Sequence, residues 1–380
     1  MLSEGSGVTR RVKLHVRTLE PMSYVHDTTK KLREHGIEPE AVIDCSLGTN
    51  PYGCSPVVHA AASRLNWKTI SDYPDPGYTD LKQALIAFWS DVVTLTPGQI
   101  FLGVGSMGVL EKVNKLLVGP GSRVLGYSPQ FTSYISEVWA SGGDYDYAAL
   151  SPDKRFTFNA TDILCRIGPE CTMVYLDNPN NPTGQIISLA DIETITAAAA
   201  SFDVAVLVDE AYGDFMDKAN SALKLTGKYG NLIVVRSFSK GSGLANLRVG
   251  YGVTQGPLLP FLEKVDMLFT FPSYVSRLAA ISLRDETFII DCRQRVAAAK
   301  QQVIAACRKL TIAKTDAEVP ILTIGHPDPA VNLYEEFVKR GILTEAGEDF
   351  LALGKNYIRL RVPADIGPLL ERLSKIQESL

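Results

Sequence analysis

Between residues 80 and 253 short runs rich in β-branched residues alternate with longer stretches of helical periodicity, and this alternation constrains the fold more than any other feature. Strands are expected over 100–104, 123–127, 172–177, 204–209, 232–237 and 248–253. Helices are expected over 80–93, 107–117 and 189–201, with a weaker one over 219–226. Consecutive parallel strands need long crossovers, and helices make those crossovers, so the pattern predicts an α/β fold: a mostly parallel sheet sandwiched by helices. After about residue 260 the pattern changes. Helices over 256–267, 273–283 and 285–309 precede two short strands, 318–323 and 357–362, and a last helix over 366–379. This predicts a smaller α+β C-terminal domain over 261–380, a large domain over 46–260, and an N-terminal arm, 1–45, that carries one helix at 22–35 and packs with the small domain.

Composition removes several classes of function. The chain has 380 residues, a net charge of −4, 46% hydrophobic and 21% charged residues, an ordinary globular balance. It lacks the excess of positive charge that nucleic-acid and anionic-membrane binders rely on. The apolar stretch 196–208 is interrupted by Ser201 and Asp203 and is too short for a membrane span. The first sixteen residues contain no apolar core of a signal peptide, and the six cysteines form no CxxC pair. The five histidines make no metal-ligand spacing. A cytoplasmic protein with incidental thiols and no metal is the expectation.

Four motifs sit where expected strands end. Gly103-Val104-Gly105-Ser106-Met107-Gly108 follows a strand and opens a helix. It matches GxGxxG, yet the acidic residue that a dinucleotide site needs after the next strand is missing, since that strand runs into Ser128-Pro129-Gln130. What survives is a helix N-terminus with exposed N–H groups suited to a phosphate. Asp177 to Gly184, DNPNNPTG, stands at the end of the third expected strand, and Asp209-Glu210-Ala211-Tyr212 at the end of the fourth. Ser237-Phe238-Ser239-Lys240 stands at the end of the fifth and leads to Arg248 eight residues on. Strand C-termini line the ligand crevice of open α/β sheets, so all four motifs converge on one place.

In this order the motifs resemble the fold-type I pyridoxal-phosphate enzymes, specifically the class I/II aminotransferases and, within them, the histidinol-phosphate aminotransferase branch with its relative threonine-phosphate decarboxylase. The resemblance spans roughly residues 40–365. It implies pyridoxal 5'-phosphate as cofactor, with Lys240 as the amine that bonds its aldehyde and then moves a proton to and from the substrate Cα. It implies Asp209 against the pyridine nitrogen, Asn181 and Tyr212 on the ring oxygen, and Phe131 stacked on the ring. The phosphate would be held by the N–H groups of Ser106 and Met107, by Ser237 and Ser239, and by Arg248. Tyr73 matches a tyrosine lent to that phosphate by a neighbouring subunit, which implies a homodimer with shared active sites.

On the substrate side the resemblance places Arg359 on the α-carboxylate, with Arg361 two residues on and on the same strand face, and Asn50 in a substrate-facing loop. Two positions depart from the branch. Glu345 stands where its phosphate-reading members carry an arginine, and Met22 where they carry a tyrosine. A carboxylate repels a phosphate dianion, so the expected substrate is an α-amino acid with a guanidino or amino side chain, met by Glu345 and by Glu20 or Asp27 of the arm. Aminotransfer is the leading reaction. Elimination or cyclisation of a hydroxyarginine-type substrate, and amino-acid decarboxylation, are the alternatives; a cofactor-free binding protein on the same scaffold is opposed by Lys240, Asp209 and Arg248.

Overall fold

A computed structural model describes residues 7–19, 32 and 35–380. Short strand β1 (Ile43–Asp44) precedes a seven-stranded sheet made of β2 (Ile100–Val104), β3 (Arg123–Ser128), β4 (Asp144–Ala149), β5 (Met173–Asp177), β6 (Ala205–Glu210), β7 (Leu232–Ser237) and β8 (Val249–Thr254). Their spatial order is β2-β8-β7-β6-β5-β3-β4. All neighbouring pairs are parallel except those made by β8, which runs antiparallel to both β2 and β7. Only residues 238–248 separate β7 from β8. That is too short for a helical crossover, so the chain turns back instead.

The apolar runs are continuous because both faces of the sheet are covered. Val174, Leu176, Val206, Val208, Leu232 and Val234 pack into one core layer, and Met173, Tyr175, Ala205, Leu207, Ile233 and Val235 into the layer on the opposite face. Each fully buried Val, Leu or Ile contributes about 1.5–3 kcal/mol.

A second sheet follows, from β9 (Thr311–Ile312), β10 (Ile321–Gly325), β12 (Glu345–Ala346) and β13 (Tyr357–Arg361), in the order β12-β13-β10-β9 and antiparallel throughout. Strand β11 (Ile342–Leu343) pairs instead with β1. The second sheet has its own core: Leu322, Ile324, Ile358 and Leu360 meet Val303 of the helix Glu286–Ala306 and Leu369, Leu373 and Ile376 of the helix Gly367–Ser379. Because strand side chains alternate, inward Ile358 and Leu360 leave Arg359 on the other face.

Three expectations need correction. Residues 219–226 form two 3-10 turns, Lys218–Asn220 and Ala222–Leu225, rather than a helix. The helix expected over 256–267 is limited to Leu259–Val265. Strand β4 and the helices Thr132–Ser141 and Leu333–Val338 were not anticipated. The helix expected over 22–35 lies almost wholly outside the described residues. Among those described, no helix is long and apolar enough to cross a membrane.

Candidate active site

The C-terminal ends of β5, β6 and β7, the start of the helix Gly105–Leu117 and the open face of β13 surround a cavity of about 310 Å³. Its lining includes Ser106, Met107, Phe131, Asn181, Asp209, Tyr212, Ser237, Ser239, Lys240, Arg248, Glu345 and Arg359. The residues singled out from four separate motifs thus meet in one place.

At the inner end, Asp209 is 2% exposed and accepts hydrogen bonds from the Ala211 N–H (2.9 Å) and the Tyr175 hydroxyl (3.2 Å). Burial, followed by the charge of Asp177 on the adjacent strand, raises its pKa from 3.8 to about 7. Asp177 and Asp209 are direct neighbours in the β5–β6 register. Asp177 is itself held by the Tyr127 hydroxyl (2.7 Å) and the Asn181 N–H (2.9 Å), which fixes the turn carrying Asn181. Lys240 has its Nζ 5.2 Å from the centre of the Tyr212 ring. Burial, then the positive charge of Arg359, lowers its pKa to about 8. The Tyr212 hydroxyl is buried without a hydrogen-bond partner, and burial pushes it up to about 12.

A second group of polar side chains faces the start of the helix Gly105–Leu117. Arg248 adopts a left-handed backbone (φ 53°), a costly state for a residue with a side chain, and so places its guanidinium 3.3 Å from the Ser239 hydroxyl. Gly105 has φ 68°, and a Cβ there would run into that guanidinium. Ser237 Oγ accepts from the Ser239 N–H (3.1 Å) and keeps the turn tight.

At the opposite end Arg359, its side chain 5% exposed, donates to Asn181 Oδ1 (3.1 Å) and to the Ser46 carbonyl, and pairs with Glu345 at 2.7 Å. Glu345 lies directly across from it in the β12–β13 register. The structure therefore amends the role expected for Glu345: its carboxylate lines the cavity but already faces a cation of the chain itself. Arg361 turns to the Asp44 carbonyl (2.6 Å) and does not line the cavity. The resemblance puts Asn50 in a substrate-facing loop, and residues 46–49 just before it do line the cavity. The Asn50 amide donates to the Gly241 carbonyl (2.7 Å), and Asn50 braces the loop behind Lys240 rather than lining the cavity. Tyr73 is 81% exposed and stacks on Phe269 at 4.6 Å, outside the cavity of a single chain. Glu20, Met22 and Asp27 lie outside the described residues. Sequence reasoning missed Tyr334, Thr344, Ser46 and Leu47 as cavity lining, and read Gly48 and Thr49 only as part of the substrate-facing loop around Asn50. Of these only Gly48 carried a signal, being in a Gly/Pro-rich loop; a Cβ on it would collide with the Tyr212 hydroxyl.

A family model described as aminotransferase class I and II matches residues 40–373. The histidinol-phosphate aminotransferase of Methanocaldococcus jannaschii is 29% identical over 98% of both chains. That of Shouchella clausii is 30% identical over 92% of both. Among solved structures, histidinol-phosphate aminotransferase from Sinorhizobium meliloti in complex with pyridoxal-5'-phosphate superposes with a TM-score of 0.81, at 22% identity, over 97% of this chain and 98% of that one.

Proposed function

The chain belongs to the class I and II aminotransferases, in the histidinol-phosphate aminotransferase-like branch, and is a pyridoxal-phosphate-dependent transferase; within that family we propose that it takes its amino group from an α-amino acid with a cationic side chain. Two observations fit the cofactor. The buried Tyr212 hydroxyl lacks a partner, and Gly105 leaves room where Arg248, Ser239 and a helix N-terminus converge on a space suited to a phosphate. When bound, pyridoxal phosphate supplies an aldehyde for an amine and a protonated ring that draws electrons from the substrate Cα.

This chain's residues divide the remaining work. Lys240, with a pKa lowered to about 8, has a substantial neutral fraction near pH 7–8, so it would be the amine that holds the cofactor and could carry the proton at the substrate Cα. Asp209 would hold the proton of the ring nitrogen through its ionised carboxylate. Asn181 and Tyr212 would bind the cofactor's ring oxygen, and Phe131 would pack against its ring. Ser106, Met107, Ser237, Ser239 and Arg248 would hold the phosphate. Arg359, braced by Asn181 and Ser46, takes the substrate carboxylate.

The observation that carries the substrate proposal is the Glu345–Arg359 pair. Of the lining cations, Lys240 and Arg248 serve the cofactor end, and Arg359 is already matched by an acid. Among the described residues a substrate phosphate would meet no uncompensated positive charge there, whereas a neutral or cationic side chain would meet no like-charge penalty. Histidinol phosphate, the substrate in the relatives' names, is the competing reading. Every relative named above is an aminotransferase, which leaves elimination, cyclisation and decarboxylation without support. A homodimer fits the exposed apolar Trp67, Ile70, Tyr73, Met267 and Leu268, and it would bring Tyr73 to a partner's phosphate site. The test is kcat/KM for arginine, lysine, a neutral amino acid and histidinol phosphate. Arginine or lysine should lead. Efficient turnover of histidinol phosphate would overturn the proposal.

A further inference from the structure

We propose that Lys300, which lies outside the cavity, is a positioning residue: it locks the turn 315–321 and through that turn sets where Asn181 and Arg359 meet. This rests on the reading that Asn181 faces the cofactor's ring oxygen and Arg359 the substrate carboxylate, and it assigns the placement of both to one buried amine.

Lys300 stands on the helix Glu286–Ala306, one turn beyond Val296. Val296 packs with Tyr212, Phe215, Val319 and Ile321, whereas Ala299 and Val303 belong to the core of the four-stranded sheet. Lys300 therefore sits on the seam between the two sheets. It is 0% exposed, and its Nζ is within hydrogen-bond distance of four oxygens: the Thr315 hydroxyl (2.6 Å) and the carbonyls of Asp316 (2.7 Å), Val319 (2.8 Å) and Ile321 (2.8 Å). All four are uncharged. Burial lowers the Lys300 pKa to about 7, and an amine donates in either state of charge. Burying it is costly, and a core that needed only volume would hold a methionine. What the amine adds is to gather three carbonyls of one turn around a single point, which no apolar side chain can do.

That turn is tied to both ends of the cavity. Toward the seven-stranded sheet, the Asp316 carboxylate accepts from the Ile186 N–H (2.6 Å), and the Asp316 N–H donates to the Gly184 carbonyl (2.9 Å). Gly184, at φ 76°, lies so close that a Cβ would run into the Ile321 carbonyl and the Thr315 hydroxyl, two of the oxygens that Lys300 holds. The Gly184 N–H donates to the Asn180 carbonyl (2.8 Å) and the Asn180 N–H to the Gln185 carbonyl (2.9 Å), so this tight loop and Asn181 move together. Toward the four-stranded sheet, the Pro320 carbonyl accepts from the Val362 N–H (2.8 Å), and β10 starts at Ile321 in the register that sets Thr323 opposite Arg359. The hydrogen bond from Arg359 to Asn181 (3.1 Å) joins the two branches. Releasing the turn loosens both partners of that bond.

The variants that test this are Lys300→Met, Asp316→Ala, Asp316→Asn and, as a control in the last helix, Ile376→Ala. In the holoenzyme the pH midpoint of the cofactor's visible absorbance reads Asn181, because an N–H donated to the ring oxygen favours negative charge there. Lys300→Met and Asp316→Ala should raise that midpoint by about half a pH unit, the size of one hydrogen bond partly lost. The dissociation constant of pentanoate, an unreactive carboxylate, reads Arg359 and should rise about tenfold in the same two variants. Asp316→Asn keeps an acceptor for the Ile186 N–H and should behave as the wild type. Ile376→Ala removes buried methyl groups from the core, so it should lower the urea midpoint and leave both readings where they are. Unshifted readings in either folded Lys300→Met or Asp316→Ala overturn the proposal, as do equal shifts in Asp316→Asn or Ile376→Ala. If Lys300→Met does not fold, the two Asp316 variants decide. A wild type whose absorbance does not titrate, or that does not bind pentanoate, counts instead against the roles given to Asn181 and Arg359. Amide exchange then decides the role of Lys300: the Gly184 N–H should exchange about tenfold faster in Lys300→Met and Asp316→Ala than in the wild type, and unchanged exchange overturns the proposal.

Discussion

Replacing Asp209 by asparagine should stabilise the cofactor-free protein at alkaline pH while weakening its grip on the cofactor. The carboxyl group titrates near 7 in the fold against an ordinary 3.8, chiefly because it is buried and secondly because Asp177 lies beside it. A folded-state pKa raised this far means that the protonated acid is accommodated and the ionised acid is not. Stability is complete below pH 4 and is lost as pH rises through 7. Each pH unit of displacement corresponds to about 1.4 kcal/mol, so the full loss is about 4 kcal/mol, of which about 3 kcal/mol develops between pH 5 and 8.5. Asparagine has the same shape, can accept from the Ala211 N–H and can donate to the Tyr175 hydroxyl, and it carries no charge. Urea unfolding of both cofactor-free proteins at pH 5 and pH 8.5 measures the effect. The wild type should lose about 3 kcal/mol more than the variant over that interval. Added cofactor should then stabilise the wild type more than the variant, because a protonated ring nitrogen gives the carboxylate its counter-ion. Identical pH dependence in the two proteins would refute the reasoning, since Asp209 would then be solvated or already neutralised.

Three further outcomes are expected. Lys240→Ala should lose the visible absorption of the bound cofactor and all turnover; retention of either would remove Lys240 from its role. Gly105→Ala places a methyl against Arg248 and forces an alanine into φ 68°, at a cost of roughly 1–3 kcal/mol, so cofactor titration should show at least tenfold weaker binding. Arg236→Met leaves Glu210 and Asp214, 2.9 and 2.6 Å from the guanidinium, without their shared cation. Breaking such a buried pair costs about 3–5 kcal/mol, and an unchanged urea midpoint would argue against it.

The sequence made the cofactor end of the cavity legible because each motif directly follows a fully buried strand. Runs such as 204–209 and 232–237 are apolar throughout, and the residues just beyond them are held at the sheet's C-terminal edge. Strand β4 was missed for the opposite reason: Asp144-Tyr145-Asp146-Tyr147 alternates charge with aromatic rings on an outer strand, which resembles a polar turn. The direction of β8 was also hidden, since periodicity marks a strand but not its sense. The substrate end was the hardest to read. That Glu345 faces Arg359 depends on the register of two strands separated by residues 347–356, and no local pattern sets it. Asn50 was placed on the substrate side from its loop, whereas its amide is used by the Gly241 carbonyl, a contact across 191 residues of chain.

The two ends of the cavity belong to different sheets. Asp209, Ser237, Ser239, Lys240 and Arg248 stand on or beside strands of the seven-stranded sheet, and Glu345 and Arg359 on the four-stranded one. Strand β12, which carries Glu345, is two residues long, sits at a sheet margin and contributes one buried residue, Ala346, to the core around it. A mutation at 345 can therefore change the charge that faces Arg359 without touching the packed layers, while the strands that carry Asp209 and Lys240 stay as they are. A lineage could try new metabolites one substitution at a time, with the expensive half of the machinery left as it was.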